Sequence, residues 1–153
     1  MDHNADVVPN RASGYQQDRE HPGQFINGMH IDISFPFAAG SIRSTAPDLA
    51  KWFGAFFDGR IVSPASVKQM IAPGHPVDGP ENYGFGIEIR ELDHHRYIGH
   101  GGAFPSFTSQ VSYFIEDGLM VVVLANTGGV ANQLAEKIAA IALNTGRTNS
   151  SAN

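Results

Sequence analysis

The run Gly99-His100-Gly101-Gly102-Ala103 is the one segment in which glycine density, a titratable side chain and the end of a strand-like stretch coincide. Glycines at a strand edge let another backbone or a substrate come close. Exposed N–H groups in such a place can donate to a developing oxyanion, and a histidine can donate, accept or shuttle a proton near neutral pH. From composition alone the run also suits a glycine-rich bulge carrying a surface histidine, so both readings stand at this point. Other chemistries meet obstacles in the string itself. A nucleophile elbow needs Gly-x-Ser-x-Gly, which does not occur. Gly84-Phe85-Gly86 lacks the third glycine of a dinucleotide fingerprint and falls inside a strand pattern. Asp93, His94 and His95 could suggest a metal, but adjacent histidines in a turn face apart into water, and neither a metal site nor a cofactor is expected. Asp117 is explained by its turn, Asp48 by a helix cap, and Trp52 with its neighbouring phenylalanines by the core.

Composition narrows the classes further. The 153 residues are 42% hydrophobic and 16% charged. That is enough for a real core in one domain, which excludes collagen, coiled coil and wholesale disorder. Ten Lys+Arg stand against fifteen Asp+Glu with no basic run, so no nucleic-acid partner is expected. Without cysteine there is no disulfide framework, thiolate zinc site or cysteine nucleophile. The stretch from Met1 to Asp6 has neither a basic nor an apolar region, so no signal peptide is expected in it, and the compartment stays open. The longest apolar run is Leu119 to Ala125. A spanning helix needs roughly 18 residues or more, so no transmembrane segment is expected.

The elements that must position the glycine-rich run follow from periodicity. Residues 1–28 are polar, punctuated by Pro and Gly, and read as a loop-rich lead-in. Met29, Ile31, Ile33 and Phe35 alternate with polar residues, which predicts a short extended segment ended by Pro36. Thr45 and Asp48 form a capping-box pair before Leu49, Trp52, Phe53, Phe56 and Phe57, a helical face stopped by Gly59. Ser63-Pro64 starts a second helix through Val67, Met70 and Ile71, closed by Pro73-Gly74. From Tyr83 the period becomes two, with Phe85, Ile87 and Ile89 on one side, and a turn over 91–95 leads to a second strand over 96–100 that Gly101 to Pro105 interrupts. Two more strands, 107–114 and 119–126, join across Asp117-Gly118, and the non-alternating Leu119 to Leu124 predicts a central strand covered on both faces. A last helix carries Val130, Leu134, Ile138 and Ile141 and ends near Asn144 or Gly146, before a polar tail over 147–153 expected to be disordered. The fold class is α+β: a helical segment over 29–75, then an antiparallel meander of about four strands with a C-terminal helix packed on it over 83–144.

The order of these features resembles the serine β-lactamase-related family, which holds class C β-lactamases, D-alanyl-D-alanine carboxypeptidases and esterases of the same fold. The stretch Ala39-Gly40-Ser41-Ile42-Arg43-Ser44-Thr45-Ala46-Pro47-Asp48-Leu49-Ala50-Lys51-Trp52 resembles the family's "AGG-x-x-S-T-A-x-D-L-A-R-W" segment. Tyr83-Gly84-Phe85-Gly86, Gly99-His100-Gly101-Gly102 and Val121 to Asn126 resemble its YGxGW, GHGG and VVVLxN segments in the right order, and Ala12-Ser13-Gly14-Tyr15 its short "A-x-GY" opening.

The resemblance, over roughly residues 8–144, implies a partial β-lactamase/transpeptidase-like fold. Family catalysis also implies Ser-x-x-Lys, in which Ser attacks and Lys helps take its proton, and Tyr-x-Asn, in which Tyr relays protons. No serine here precedes a lysine by three and no tyrosine an asparagine by two; Ser151-Ala152-Asn153 mimics a motif only at the chain's end. Carried over by position, His100 and the backbone N–H of Ala103 are the catalytic candidates, and Gly101, Gly102 and Phe104 the substrate-binding ones. A histidine where other members have lysine removes a permanent cation and implies ester or amide hydrolysis over β-lactamase action.

The resemblance therefore implies the C-terminal half of such an enzyme, inactive alone. Its expected partners are an N-terminal half carrying the nucleophile and a small ester, amide or peptidoglycan-like substrate. The competing expectation is a non-catalytic homologue that binds a ligand or assembles with itself as a homo-oligomer or domain-swapped dimer, since a half exposes apolar faces. A third takes the chain as a piece of a complete hydrolase. Relatives of this kind are often periplasmic or secreted.

Overall fold

The computed structural model describes residues 7–29, 31–32, 34–72, 75–76 and 82–150. Thr45 starts the helix α1, Ala46–Phe57: its Oγ1 accepts from the Asp48 N–H at 3.3 Å and donates to the Asp48 carboxylate at 2.9 Å. That hydroxyl, and then the Lys51 ammonium, hold the Asp48 carboxyl below its usual range. Gly59 follows at φ +71, a left-handed stop open to glycine at little cost. Ser63 caps α2, Pro64–Met70, by accepting from the Ser66 N–H at 3.1 Å. Pro73 and Gly74, expected to close it, lie outside the described residues.

The strands are β1 (Tyr15–Gln17), β2 (Phe25–Asn27), β3 (His75–Pro76), β4 (Asn82–Tyr83), β5 (Glu88–Leu92), β6 (His95–Phe104), β7 (Phe107–Phe114) and β8 (Leu119–Ala125), followed by α3, Ala131–Ser150. β1 and β2 pair as a small antiparallel hairpin, and the others form one antiparallel sheet in the order β3-β4-β5-β6-β7-β8. The four expected strands of the meander are thus present, extended at one side by two short ones. The sheet lies between two helical layers. On one face Phe56 and Val67 meet Ile87, Ile89 and Ile98, and the Phe57 ring stacks on Tyr113 with centroids 4.7 Å apart. On the other, Ala135 and Ala139 of α3 meet Tyr97, Phe114 and Val121. Burial raises the Tyr97 phenol above its ordinary range, opposed by the Arg90 guanidinium and assisted by the Glu136 charge.

Several local expectations need correction. Among the described residues of 29–35 no strand forms: Ser34 to Pro36 turn and Phe37–Ala39 form a 3-10 helix, because Asp32 Oδ1 accepts from the Ser34 N–H and Phe35 N–H reaches back to Asp32 O. His30 and Ile33 of that segment are outside the described residues. The lead-in, read as loop, contains the β1/β2 hairpin. The strand pattern at Tyr83 breaks at Gly86, φ +72, which leaves Phe85 73% exposed. Trp52 is half exposed although it stacks on the buried Phe56. His95 does not face water but bonds Asp117 at 2.8 Å across the sheet's end. β6 runs through its glycines without interruption, since their missing side chains let β7 close up: a Cβ on Gly99 would sit 1.8 Å from Val111 O. β8 is the last strand of the described sheet, not a central one: apolar residues on both faces report which faces meet helices, not whether a further strand flanks the backbone, and Leu124 is 42% exposed. α3 continues beyond Gly146, the later of the two expected ends, so the tail expected to be disordered is helical as far as Ser150.

The Gly99 contact is with backbone and cannot be relieved by a rotamer change, whereas Gly128 has open space around it. Gly99→Ala is expected to destabilise the chain by about 3 kcal/mol or prevent folding. Gly128→Ala should change stability by about 0.5 kcal/mol or less. Urea unfolding of the two variants side by side measures the contrast.

Candidate active site

The turn Asp93-His94 has both residues at positive φ, 49° and 68°. It closes a two-residue hairpin between β5 and β6. Such a turn makes Leu92 and His95 a hydrogen-bonded pair, and the register carries the same state to Arg90 with Tyr97 and Glu88 with Gly99. The Pro105-Ser106 turn fixes the other side in the same way: Phe104 pairs Phe107, Gly102 pairs Ser109 and His100 pairs Val111. Odd-numbered residues of β6 therefore direct N–H and C=O toward β5, even-numbered ones toward β7. β5 stops at Glu88, opposite Gly99, but β6 goes on to Phe104. The N–H and C=O groups of Gly101 and Ala103 consequently face an edge that no described strand covers.

His100 projects from this stretch and is exposed. Its Nδ1 contacts Gly101 O and its Nε2 lies 2.9 Å from the Tyr83 hydroxyl, with the two rings edge to face, centroids 5.8 Å apart. Gly101 O can only accept, so in the neutral ring Nδ1 carries the proton and Nε2 accepts from the Tyr83 O–H. Gly101 and Gly102 are packing requirements as well as edge residues. A Cβ on Gly101 would come to 2.8 Å from Gln110 Oε1, and one on Gly102 to 2.6 Å from Ser109 Oγ. Gln110 is buried and donates to Ser112 Oγ at 3.1 Å, so the wall behind the glycines is polar and fixed.

Phe104 lies at the far end of β6, where it lines a cleft of about 420 Å³ together with Arg11, Ser13, Met29, Ile31 and Phe107. Tyr15 N–H donates to Asn126 O at 2.8 Å and Asn126 Nδ2 to Ser13 O at 2.9 Å, which ties the lead-in to the end of β8 beside this cleft. Gly14 and Gly28 sit against Phe107 and Ser106 so closely that a Cβ on either would clash. The structure thus places His100, Gly101, Gly102 and Ala103 in one stretch of β6, where Gly101 and Ala103 turn their backbone groups to the open edge, and Phe104 in the adjoining cleft. Sequence reasoning passed over Tyr83 as a site residue; the strand pattern accounts for it equally well, and only the register shows that it reaches His100.

A model of the Beta-lactamase family matches residues 2–145. The chain belongs to the β-lactamase family. It is 26% identical over 148 residues to a D-aminopeptidase of Brucella ovis, covering 91% of this chain and 27% of that one. The octameric penicillin-binding protein homologue of Pyrococcus abyssi superposes with a TM-score of 0.74 at 28% identity, over 87% of this chain and 31% of the other. The D-amino acid amidase of Ochrobactrum anthropi SV3 shares the fold with a TM-score of 0.75 at 23% identity, over 92% of this chain and 45% of the other. This β-lactamase-family chain therefore spans between about a quarter and a half of the length of these relatives.

The direction of the β6 backbone groups can be tested with proline, which removes one N–H. Ala103→Pro, losing a donor that faces the open edge, is expected to keep nearly wild-type stability. Gly102→Pro, losing a donor to β7, should cost at least about 2 kcal/mol more than Gly102→Ala, which carries the same Cβ contact with Ser109 Oγ. Equal losses in urea unfolding would show that the assigned direction is wrong.

Proposed function

We propose that this chain is the C-terminal part of a serine hydrolase that cleaves ester or amide bonds through an acyl-enzyme, D-amino acyl amides included. The observation that carries the reading is the open edge of β6. There the Ala103 N–H is one oxyanion donor, to be joined by the N–H of a nucleophile supplied from elsewhere. Gly101 and Gly102 let the acyl group lie flat along the edge, and Phe104 forms the wall of its binding cleft. The names of the Brucella and Ochrobactrum relatives support the D-amino acyl part of the proposal. Ser-x-x-Lys and Tyr-x-Asn come from an N-terminal half, so the chain alone does not turn over. Loss of a serine nucleophile costs on the order of 10⁶-fold in kcat.

A fluorescent penicillin and p-nitrophenyl acetate, incubated with this chain, are expected to give no stoichiometric acylation. Rapid labelling would overturn the claim that the nucleophile lies elsewhere. With an N-terminal half carrying both motifs added, hydrolysis should appear, and His100→Ala should lower it by less than the roughly 10²–10³-fold that removing an oxyanion donor costs, but measurably. Undiminished activity would remove His100 from the site.

A second reading, a self-assembling module, is supported by the other side of the sheet. The register with β7 directs the backbone groups of Met120, Val122 and Leu124 outward from β8, and no charged residue or proline lies within Leu119–Ala125 to protect that edge. Glu136 lies on the flank of α3 nearer β6, where its charge acts on Tyr97. Leu134, Ile138 and Ile141 are exposed, by 44%, 46% and 69%. They occupy the opposite flank at helical spacing and so overhang the open edge. A two-fold axis perpendicular to the sheet would join β8 to β8 of a second copy and bring both α3 flanks together. The octameric state of the Pyrococcus homologue supports association in this fold. In sedimentation velocity the chain is expected to form a dimer that Val122→Pro and Ile138→Glu each weaken at least tenfold, and a monodisperse wild-type monomer would exclude this reading.

A further inference from the structure

The open edge of β6 ought to present alternating donors and acceptors, because Gly101 and Ala103 each turn one N–H and one C=O toward it. One of these acceptors, Gly101 O, is already engaged by Nδ1–H of the adjacent His100 ring. The ring is held from its other side by Tyr83, whose O–H reaches Nε2 at 2.9 Å and whose ring meets the imidazole edge to face. We propose that Tyr83 is a positioning residue: it locks His100 as the Nδ1–H tautomer over Gly101 O, and so turns the edge from a mixed row into one in which N–H donors predominate. Such an edge favours an anionic oxygen over a carbonyl or an incoming strand, whose own C=O and N–H groups need both partners. Because both ring nitrogens are then committed, His100 holds a proton in place here and does not carry one to or from a substrate.

Tyr83 is itself fixed from the helical layer. Gly84 N–H donates to Ile87 O at 2.8 Å and Phe85 N–H to Met70 O at 3.0 Å, which docks the turn after β4 onto the C-terminal end of α2. A Cβ on Gly84 would lie 1.9 Å from Met70 O, so the docking requires glycine. A continuous set of bonded or touching groups thus runs from α2 through Gly84 and Tyr83 to His100 and Gly101, which makes the position of α2 a determinant of the edge's polarity.

The importance of this arrangement for hydrolysis rests on the function proposed above, but its existence does not, and it can be read in this chain alone. In ¹⁵N-labelled protein at pH 8, long-range ¹H–¹⁵N correlations of the ring are expected to show His100 with the proton on Nδ1. Tyr83→Phe should raise the Nε2–H share at least threefold, while the amide spectrum of β7 and α3 stays unchanged. If that variant does not fold, incorporation of 3-fluorotyrosine provides the second measurement. The more acidic phenol strengthens its bond to Nε2 and should shift that nitrogen's resonance while those of His94 and His21 do not move. Wild-type His100 protonated on Nε2, a tautomer ratio untouched by Tyr83→Phe, or an Nε2 resonance indifferent to fluorination would each overturn the proposal. Unchanged hydrolysis in an assembled Tyr83→Phe enzyme whose tautomer ratio has shifted would count against the functional reading instead.

Discussion

β6 outruns β5, and the chemistry available to this chain depends on that mismatch. The strand is held on its β7 side from Tyr97 to Phe104, so its backbone there is rigid, yet past Gly99 its other side has no described neighbour. Rigid, outward-facing N–H groups are the form of electrostatic stabilisation that acts without reorganisation when charge develops on an oxygen. A loop could present the same donors but would have to be ordered first, at roughly 1–2 kcal/mol per residue in backbone entropy. The β7 ladder and the buried Gln110–Ser112 contact behind the glycines meet that requirement before any ligand arrives.

The glycines serve this rigidity more than they relieve it. Gly99, Gly101 and Gly102 lie in an extended strand, where glycine is ordinarily unfavourable. What requires them is close approach: Val111 O, the Gln110 side chain and Ser109 Oγ occupy the space a Cβ would fill. The same economy of space recurs at Gly84 against α2 and at Gly14 and Gly28 against the Ser106-Phe107 corner. In each case a backbone is brought against another element with no side chain between, and the contacts converge on the two ends of the open stretch of β6.

Legibility in the sequence followed the range of the interactions. The caps at Thr45 and Ser63, the helical face through Phe56, the Asp117-Gly118 turn and the four long strands were readable because each is set by neighbours a few residues apart. His100 and its glycines were conspicuous by composition, and the family resemblance placed them in order. The pairing of His95 with Asp117 and of Tyr83 with His100, at separations of 22 and 17 residues, was not readable, since it depends on register and twist. The extended reading of 29–35 failed for the opposite reason. A local Asx turn at Asp32 competes with the alternation and wins where no described strand supplies a ladder.

The terminal position of β8 shows how tertiary context decides what an apolar run means. Leu119 to Leu124 reads as a buried central strand because it is apolar on both faces, and side-chain hydropathy reports faces only. Edges are a property of the backbone, which carries the same donors and acceptors at every residue. An apolar strand with covered faces and an open edge is favourable only while something satisfies those outward groups, whether water, a further strand of the same body or a second copy. The open stretch of β6 past Gly99 and the outer edge of β8 thus differ in kind. The β6 edge carries an imidazole that masks one acceptor and leaves donors suited to an anion. The β8 edge turns the donors and acceptors of Met120, Val122 and Leu124 outward in alternation, the arrangement on which the self-assembly proposed above rests.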